Sequence, residues 1–380
     1  MVANVLGRTA IELAMEGIVE SMEEEGLRSK IIRIFSAGLY LSGALAVLRW
    51  SANRVMPIHD HHRKTVFPFI KKRRAPNLQI LTYHRVNDEH DPYFPATPVE
   101  VFARQMEYVA KRYEVCQLDE AVNRLQRRDL PENALVITFD DGYRDNYLHA
   151  FPVVRSLGLP LTIFLATDAI GTGQMLWHDR VFSAFRVTSV QSLRGYDSAL
   201  EGARLGSLRE RIATMEKVLS GLRLLNEPER NRRISALCTC LEVPDKQRDA
   251  SLMLSWEEVR AMNRQKISFG SHTASHPILS RVSRDEVERQ LQRSCEAIRQ
   301  HIDMKPVTFA YPNGTRSDFT DVTKDVLRNF GITSAVTTEF GVNEPEADVL
   351  ELKRGRPWEE HLPTFAFKLS WYRLISSQAA

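Results

Sequence analysis

Two short motifs in this chain combine carboxylates and imidazoles in a pattern that suits metal-assisted hydrolysis. The first is Thr138–Gly142, which contains two adjacent aspartates, and the second is Ser271–His276, about 130 residues later. One aspartate and two histidines supply three ligands for a borderline divalent ion such as zinc and leave a coordination position for water. The other aspartate remains free to accept a proton from that water. The two motifs together predict a hydrolytic metal site.

Each motif by itself has an ordinary structural explanation. Adjacent aspartates often cap helices or occupy turns. His272 and His276 are four residues apart and would face one way on a helical turn, and such pairs usually lie on protein surfaces. Both motifs, however, directly follow hydrophobic runs, Ala134–Phe139 and Lys266–Gly270. Their joint position at the ends of predicted strands favours the metal site.

The elements that must position these motifs alternate between strands and helices. Apolar, β-branched and aromatic runs predict strands, and amphipathic segments between them predict helices. The predicted strands are Gln79–Tyr83, Ala134–Phe139, Leu161–Ala166, Lys266–Gly270, Val307–Tyr311 and Thr333–Val336. This alternation is typical of an α/β fold with a parallel sheet, and in (β/α) barrels the chemistry sits at the carboxyl ends of the strands. Both motifs occupy that position.

One charged stretch interrupts this alternation. Gln174–Arg248 contains helical periodicity in Leu208–Leu225 and Glu229–Leu241. We expect a helical insertion at about 174–250, folded over the barrel face. The predicted domains are an N-terminal helical extension with a basic linker at 1–76 and a catalytic domain at 77–380.

The overall composition excludes several classes of protein. The chain has 380 residues, of which 43% are hydrophobic, and its formal net charge is 51 − 48 = +3. Its four cysteines are irregularly spaced and indicate no disulfide framework. A nucleic-acid partner is not expected, because arginines are mixed with acids and neither a glycine-rich phosphate loop nor a basic stripe with aromatic residues is evident.

The N-terminal region leaves three interpretations open. Ile34–Leu48 carries no charge, but at about 1.5 Å per residue it would span about 22 Å, less than the roughly 30 Å hydrocarbon core. It could be a cleaved signal, a buried core helix, or a membrane-surface or marginal membrane anchor. Basic residues between Arg49 and Arg74 favour membrane contact at an anionic cytoplasmic leaflet. We therefore expect a cytoplasmic location or the cytoplasmic face of the inner membrane, with a periplasmic or secreted location as the alternative.

Taken together, the motifs resemble one enzyme family. The chain is similar to the polysaccharide deacetylases, that is, the NodB-homology fold or carbohydrate esterase family four, from roughly Asn77 to Trp358, interrupted by the insertion. The segments that carry this resemblance are Leu81–Val86, Thr138–Gly142, Leu254–Glu258, His272–His276 and Phe309–Gly314. The resemblance implies a distorted (β/α) barrel that removes acetyl groups from N-acetylated sugars.

The resemblance also implies roles for individual residues. Asp140 would be the general base, and Asp141, His272 and His276 would bind a divalent metal, with Zn²⁺ preferred over Co²⁺, Ni²⁺ or Mn²⁺. Tyr311 would help to hold the tetrahedral oxyanion through its backbone or flanking groups. An amide carbonyl is a poor electrophile, so such a reaction gains from a Lewis acid and from donors aimed at the developing charge.

Other residues are candidates for substrate binding. Pro312 and Asn313 follow Tyr311 in the third motif. Trp177, Asp179 and Trp358 could form the walls of a sugar site, although packing in a hydrophobic core explains a tryptophan equally well.

The chain departs from the family pattern at the general acid. The family's closing motif usually supplies a histidine, but Leu350–Trp358 contains none. His84, His178 and His361 are the alternatives. We favour His84 because it ends the first predicted strand on the active face, although a structural histidine is an equal interpretation.

A second departure concerns the arginine that usually precedes the proline of the third motif. It is missing at Thr308 and Phe309. Arg354 or Arg356 could orient Asp140 instead, and both are also candidates for substrate contact.

These observations predict N-deacetylation of an N-acetylhexosamine unit in a polysaccharide or glycolipid precursor. The expected partner is thus an acetylated glycan or glycolipid. The alternatives are hydrolysis of another amide, such as a non-sugar or cyclic one, and a catalytically silent sugar-binding protein on the same scaffold.

Overall fold

The structure, a computed structural model, describes residues 25–41, 77–356 and 358–375. The chain divides into two compact units. The larger unit is Ala75–Pro357, and the smaller one combines residues from the two ends of the chain. The expected boundary after residue 76 stays a prediction.

The larger unit contains a parallel sheet whose strand order follows the sequence. The strands are β1 (Gln79–Tyr83), β2 (Glu114–Val115), β3 (Ala134–Phe139), β4 (Leu161–Leu165), β5 (Ser192–Leu193), β6 (Ala203–Arg204), β7 (Ile267–Ser271), β8 (Thr308–Ala310), β9 (Ser334–Phe340) and β10 (Leu352–Arg354). The main sheet has the order β1-β3-β4-β7-β8-β9-β10, with β2 beside β3, while β5 and β6 form a separate antiparallel pair. All pairs in the main sheet are parallel.

The two outer strands of this order, β1 and β10, are joined through Gly355. The backbone N–H of Thr82 donates to Gly355 O at 3.1 Å, and the N–H of Gly355 donates to Ile80 O at 2.7 Å. These bonds bring the sheet close to a closed cylinder. The predicted distorted (β/α) barrel with parallel strands is confirmed.

Three strands of the main sheet are buried along their whole length. Every residue of β1, β3 and β4 is buried, and these strands are rich in β-branched and aromatic side chains. A parallel sheet covered on both faces requires such continuous apolar runs. The sequence therefore predicted these three strands with correct or nearly correct bounds.

The described residues form eleven α-helices, and polar side chains cap the N-termini of five of them. The eleven helices are α1 (Glu25–Leu41), α2 (Val99–Arg112), α3 (Leu118–Gln126), α4 (Phe151–Ser156), α5 (Trp177–Val187), α6 (Leu208–Leu222), α7 (Glu227–Cys240), α8 (Trp256–Asn263), α9 (Arg284–Ile302), α10 (Asp321–Asn329) and α11 (Leu362–Ile375), and a π-helical turn, Asn146–Ala150, precedes α4. Ser255 caps α8 by accepting the N–H of Glu258 at 3.2 Å, and Ser283 caps α9 in the same way. Both helices pack against β7, which carries the histidine motif at its end.

The region between β4 and β7 is largely helical, as expected. Helices α5, α6 and α7 share a buried apolar cluster that includes Trp177, Phe185, Met215, Ile234 and Leu237. Because this cluster is separate from the apolar clusters beneath the barrel helices, the insertion has a small core of its own. The β5–β6 pair was not expected from the sequence.

In the smaller unit, α1 packs against α11, a helix that the sequence analysis did not anticipate. The hydroxyls of Ser36 and Thr364 lie 3.0 Å apart, and the rings of Phe35 and Phe367 meet edge to face at 5.9 Å. Among the described residues, no helix has the length and apolar character needed to cross a membrane. The basic residues between Arg49 and Arg74 lie outside the described residues, so the membrane contact expected there stays a prediction.

Candidate active site

The first motif forms a tight turn at the carboxyl end of β3. Asp141 has a φ of +73° and Gly142 a φ of +86°, both in the left-handed region. A Cβ at position 142 would lie 2.8 Å from Ile170 Cδ1 and 2.9 Å from Leu165 Cδ2, so a larger residue would not fit. This turn leaves Asp140 and Asp141, both buried, with entirely different partners.

The second motif lies in a loop after β7 and not on a helical turn, so the sequence interpretation was wrong on this point. Thr273 and His276 adopt left-handed φ values of +68° and +58°. The loop is held by the Gln290 side chain, which accepts the N–H groups of Ala274 and Ser275 at 3.0 and 2.9 Å. Sequence spacing alone could not show this conformation, because it depends on a side chain from α9.

Three side chains converge where β3 and β7 end. Asp141 Oδ1 lies 3.4 Å from His272 Nε2 and 3.4 Å from His276 Nε2, and all three residues are buried. His272 Nδ1 lies 2.7 Å from Ala310 O, which fixes the ring with Nε2 towards Asp141. The sequence analysis expected these three residues to meet, and the structure brings them together.

This cluster fits a divalent cation. Asp141 Oδ1 has no hydrogen-bond partner among the described residues although it is buried. A carboxylate oxygen left without a donor in a buried site is costly unless a cation completes it. Ligands about 2.1 Å from a tetrahedral ion lie about 3.4 Å apart, which matches the separations between the carboxylate and each imidazole. One carboxylate and two imidazoles are also a donor set that suits zinc.

The charges of the cluster are suited to a cation as well. Burial raises the pKa of Asp141, but the neighbouring histidines outweigh it and hold this pKa well below its usual range. Burial, together with His272, lowers the pKa of His276. The site thus offers an ionised carboxylate and at least one neutral imidazole, the forms that bind metal.

Asp140 is held by an arginine from β10. Its two carboxylate oxygens accept from Arg354 Nη1 at 2.8 Å and Nη2 at 2.7 Å, a bidentate pair with both side chains buried. The guanidinium also donates to Thr337 O at 2.7 Å and to Thr138 Oγ1 at 3.2 Å. Burial acts to raise the pKa of Asp140, but Arg354 reverses this, and the pKa lies below its usual value.

Arg356, the alternative partner for Asp140, lies elsewhere. It is exposed and donates to Thr338 O at 3.1 Å. The sequence left the choice between Arg354 and Arg356 open because the three-residue strand β10 was not recognised. Alternation along that strand buries Arg354 and Leu352 and exposes Lys353.

Two of the three candidate histidines lie near the aspartates. His84 Nε2 is 3.9 Å from Asp140 Oδ2, and its side chain is 28% exposed, so it is accessible from the solvent side. His178 packs edge to face on His276 at 5.2 Å and lies 3.0 Å from the Tyr143 hydroxyl. Burial lowers the pKa of His178 to about 4. His178 therefore lacks the extra proton that a general acid needs at neutral pH.

The third candidate, His361, belongs to the smaller unit. Its Nδ1 lies 2.9 Å from Thr364 Oγ1 near the start of α11. Trp358 also lies in this unit and is 59% exposed.

The third motif forms the turn after β8. Tyr311 is buried, its hydroxyl donates to Leu350 O at 2.8 Å, and its N–H donates to Val336 O at 3.2 Å. Both of its hydrogen-bond donors are therefore engaged, and oxyanion binding by Tyr311 itself stays a prediction that this arrangement does not favour. Pro312 is buried beside it, while Asn313 has a φ of +57° and a side-chain Nδ2 without a partner among the described residues.

Trp177 is part of the buried cluster of the insertion. It is 6% exposed, and the Arg230 guanidinium lies over its ring at 4.9 Å. A sugar could reach only the edge of this ring, so stacking on its face is not supported, and the core-packing interpretation describes its position better. Asp179 is also buried and accepts from the Tyr143 hydroxyl at 2.9 Å.

Tyr143 and Arg230 were not among the site residues predicted from the sequence. Tyr143 follows the first motif directly, so its position beside the aspartates was a usable signal. Arg230 lies in the charged run Glu229–Arg233, which reads as an ordinary exposed helix surface. Its burial depends on how α7 packs, which no local pattern reveals.

Comparisons with known proteins agree with this geometry. A family model described as polysaccharide deacetylase matches residues 127–335, more than half of the chain. A relative from Bacillus subtilis (strain 168), "Putative polysaccharide deacetylase YxkH", is 33% identical over 104 residues. That match covers 27% of this chain and 37% of the relative, so it spans little more than a third of the relative's length.

Two solved structures have a similar fold. IcaB from Ammonifex degensii has a TM-score of 0.51 at 20% identity, covering 79% of this chain and 97% of that one. The Streptococcus pyogenes deacetylase PplD in complex with acetate has a TM-score of 0.50 at 18% identity, covering 74% and 93%. At these identities the likeness supports the barrel fold alone.

Proposed function

This chain belongs to the polysaccharide deacetylase family, and from that premise we propose that it hydrolyses the acetamide of an N-acetylhexosamine unit in a polysaccharide or glycolipid precursor. The observation that carries the proposal is the convergence of Asp141, His272 and His276 beside a second aspartate that an arginine holds in place. A divalent ion, with zinc as first choice, would polarise the acetyl carbonyl and lower the pKa of a water to roughly 7.

Asp140 is the proposed general base. Arg354 holds both of its oxygens and lowers its pKa, so the carboxylate is ionised and fixed in orientation. Asp141 is committed to the cation site by its contacts with His272 and His276. Of the two adjacent aspartates, Asp140 would therefore accept the proton and Asp141 would bind the metal.

His84 is the proposed general acid. An amide leaves as an amine only if its nitrogen gains a proton, so a donor must lie close to the base without sharing its partners. His84 lies 3.9 Å from Asp140, on a side chain that is partly open to solvent. The low pKa of His178 and its contact with His276 make it a weaker candidate.

The direct test is hydrolysis of a panel of substrates with zinc, with cobalt and with a chelator, followed as acetate release for acetylated substrates and as ring opening for cyclic amides. The panel contains N-acetylated oligosaccharides, an N-acetylated lipid-linked sugar, and non-sugar and cyclic amides. We expect metal-dependent acetate release from the acetylated sugars only. Hydrolysis of only the non-sugar or cyclic amides would replace the proposed substrate class, and sugar binding without any acetate release would indicate a silent binding protein.

The cellular location is a proposal from the sequence alone. We propose the cytoplasm or the cytoplasmic face of the inner membrane, where lipid-linked precursors are available. Cell fractionation tests this location, and a soluble periplasmic product lacking the residues before Val47 would contradict it.

A further inference from the structure

A cavity of about 240 Å³ separates the helical insertion from the loop that carries the two histidines. Trp177 and Arg230 contribute to its wall from the insertion, and Ala274 and Ser275 contribute from the loop. Ser275 precedes His276 directly, so the cavity begins next to the candidate metal site. A volume of this size can hold a phosphate or carboxylate group, since one water takes up about 30 Å³.

Two buried side chains in this wall carry hydrogen-bond donors without acceptors. Arg230 is 1% exposed, and its Nε and Nη1 have no hydrogen-bond partner among the described residues. The indole Nε1 of Trp177, the ring beneath this guanidinium, also lacks a partner there. Buried donors are normally satisfied, and leaving them unpaired costs free energy. Three such donor atoms at one cavity call for a ligand rich in acceptors.

Most of the other charges in the wall are already neutralised. Arg180 donates to both carboxylate oxygens of Asp245, at 2.9 and 2.8 Å from Nη2. Asp168 is paired with Arg293. These four residues therefore contribute no net charge to the cavity.

The remaining charges leave an excess of one positive charge. Arg230 and the exposed Arg248 are cations with no ion pair among the described residues, and Glu227 is the one acid left in the wall. Glu227 accepts from the Ser275 hydroxyl at 3.1 Å. Burial lowers the pKa of Arg230 to about 10 while Glu227 opposes this, so Arg230 remains protonated at neutral pH.

We propose that this cavity binds an anionic group, a phosphate or a carboxylate, that the acetylated sugar substrate carries. The proposal rests on the function proposed above and narrows its substrate class from any N-acetylated sugar to one with an oxyanion near the reacting acetamide. The Arg230 guanidinium supplies the charge, and the Trp177 indole N–H supplies a second donor. Arginine suits such a role because its planar fork matches phosphate and carboxylate oxygens.

The first experiment measures substrate preference. Acetate release is followed with N-acetylglucosamine 1-phosphate, with a disaccharide of N-acetylglucosamine and glucuronic acid, and with neutral diacetylchitobiose. The two charged substrates separate phosphate from carboxylate as the natural source. In the wild-type protein we expect a higher kcat/KM for at least one charged substrate than for the neutral one.

Arg230→Gln should lower this preference for the charged substrate about 10-fold or more, mainly through KM, because a charge-assisted hydrogen bond is lost. Arg230→Lys keeps the positive charge without the forked guanidinium, and it should retain part of the preference for the charged substrate. The matched control is Arg232→Gln on the same helix, where the side chain is 75% exposed and paired with Glu229. Equal losses on charged and neutral substrates, or no change in preference, would overturn the proposal.

A second experiment measures binding without turnover. Calorimetry with chelator-treated protein and N-acetylglucosamine 1-phosphate should show binding to the wild type and to Arg232→Gln, and at least about 10-fold weaker binding to Arg230→Gln. If Arg230→Gln fails to fold, Trp177→Phe replaces it, because this variant keeps the stacked ring and removes only the indole N–H. We then expect a several-fold weaker affinity, and wild-type affinity in Trp177→Phe would refute the site.

The two proposals can fail separately. Arg230-dependent binding of the phosphorylated sugar without acetate release from any substrate would remove the proposed hydrolysis and keep the anion site. Acetate release that depends neither on substrate charge nor on Arg230 would keep the proposed hydrolysis and remove the anion site.

Discussion

The cation site and the cavity beside the insertion each bury a charged side chain with unpaired atoms, but the two charges are of opposite sign. At the cation site the Asp141 carboxylate has an unpaired oxygen, Oδ1, which faces two imidazoles. In the wall of the cavity the unpaired atoms belong to Arg230 and Trp177, and all of them are donors. A buried polar group without a partner costs about 1–3 kcal/mol, so such atoms indicate where a group outside the chain completes the structure.

In both regions, buried charges that are fully paired differ from the buried charge that has unpaired atoms. Arg354 and Asp140 lie close to Asp141 and are just as deeply buried, yet they satisfy each other through two short hydrogen bonds. Arg180 and Asp245 do the same beside Arg230. In both regions a fully paired ion pair stands next to an incomplete group, and only the incomplete group points to a ligand.

The largest expected effect comes from removing a ligand of the cation site. His272→Ala should lose both bound metal and acetate release, the latter by about 10⁴-fold, because a bound metal would polarise the acetyl carbonyl and activate the water. Metal analysis of the purified protein and the acetate assay check both losses. His149→Ala, a histidine on the turn before α4, is the matched control and should retain both. Full metal content in His272→Ala would contradict the assigned ligand.

The next largest effect is expected from a change that tests whether the two adjacent aspartates have different roles. Asp140→Asn should lower acetate release by about 10³-fold and keep the metal, because the amide cannot accept a proton but leaves the cation site intact. Metal content and turnover are measured on the same preparation. Turnover at the wild-type rate would remove Asp140 from the role of base.

His84→Gln should lower acetate release from an amide substrate by about 10²-fold, because the leaving amine needs a proton. Hydrolysis of 4-nitrophenyl acetate, whose leaving group needs none, should be much less affected. His178→Gln is the comparison variant, and a larger loss there than in His84→Gln would reassign the general acid.

Arg354→Lys tests what the paired guanidinium does for Asp140. Loss of the fork should raise the pKa of Asp140 and move the acidic limb of the kcat/KM profile to higher pH, with a loss of about 10-fold at neutral pH. A purely structural role would lower stability without moving the profile. Arg356→Lys, an exposed neighbour, should leave the profile in place.

The smallest effect concerns Asp179, a buried carboxyl between the two regions. Burial, followed by Asp141, raises its pKa to about 7. Because the folded pKa lies above the unfolded value of about 3.9, the wild type loses stability as pH rises from about 4 through 7. Asp179→Asn avoids this loss and, in chelator-treated protein, should be more stable than the wild type at pH 8, by on the order of 2 kcal/mol.

Urea unfolding at pH 5 and pH 8 measures this difference, which should shrink at the lower pH. Asp325→Asn, an exposed acid paired with Arg328, should show no such dependence on pH. A stability gain that is equal at both pH values would show that the ionisation of Asp179 is not its cause.

The sequence by itself determined six strands of the main sheet and the strand ends on which the chemistry sits. A parallel strand buried on both faces must be apolar along its whole length, so Gln79–Tyr83 and Ala134–Phe139 were readable with their bounds. The carboxyl ends of such strands meet at one edge of the barrel, and this is why Asp141, His272 and His276 could be expected to converge. The type of metal site followed from residue chemistry, which does not depend on packing.

Only the tertiary structure decided which groups pair and which remain open. Arg354 was one of two candidates until β10 buried it against Asp140, and the conformation of the histidine loop depends on Gln290 from a distant helix. Arg230 belongs to a charged run that predicts an exposed surface, yet helix packing places it over Trp177. Burial and pairing of a charge are properties of contacts between distant segments, and local sequence patterns carry no information about those contacts.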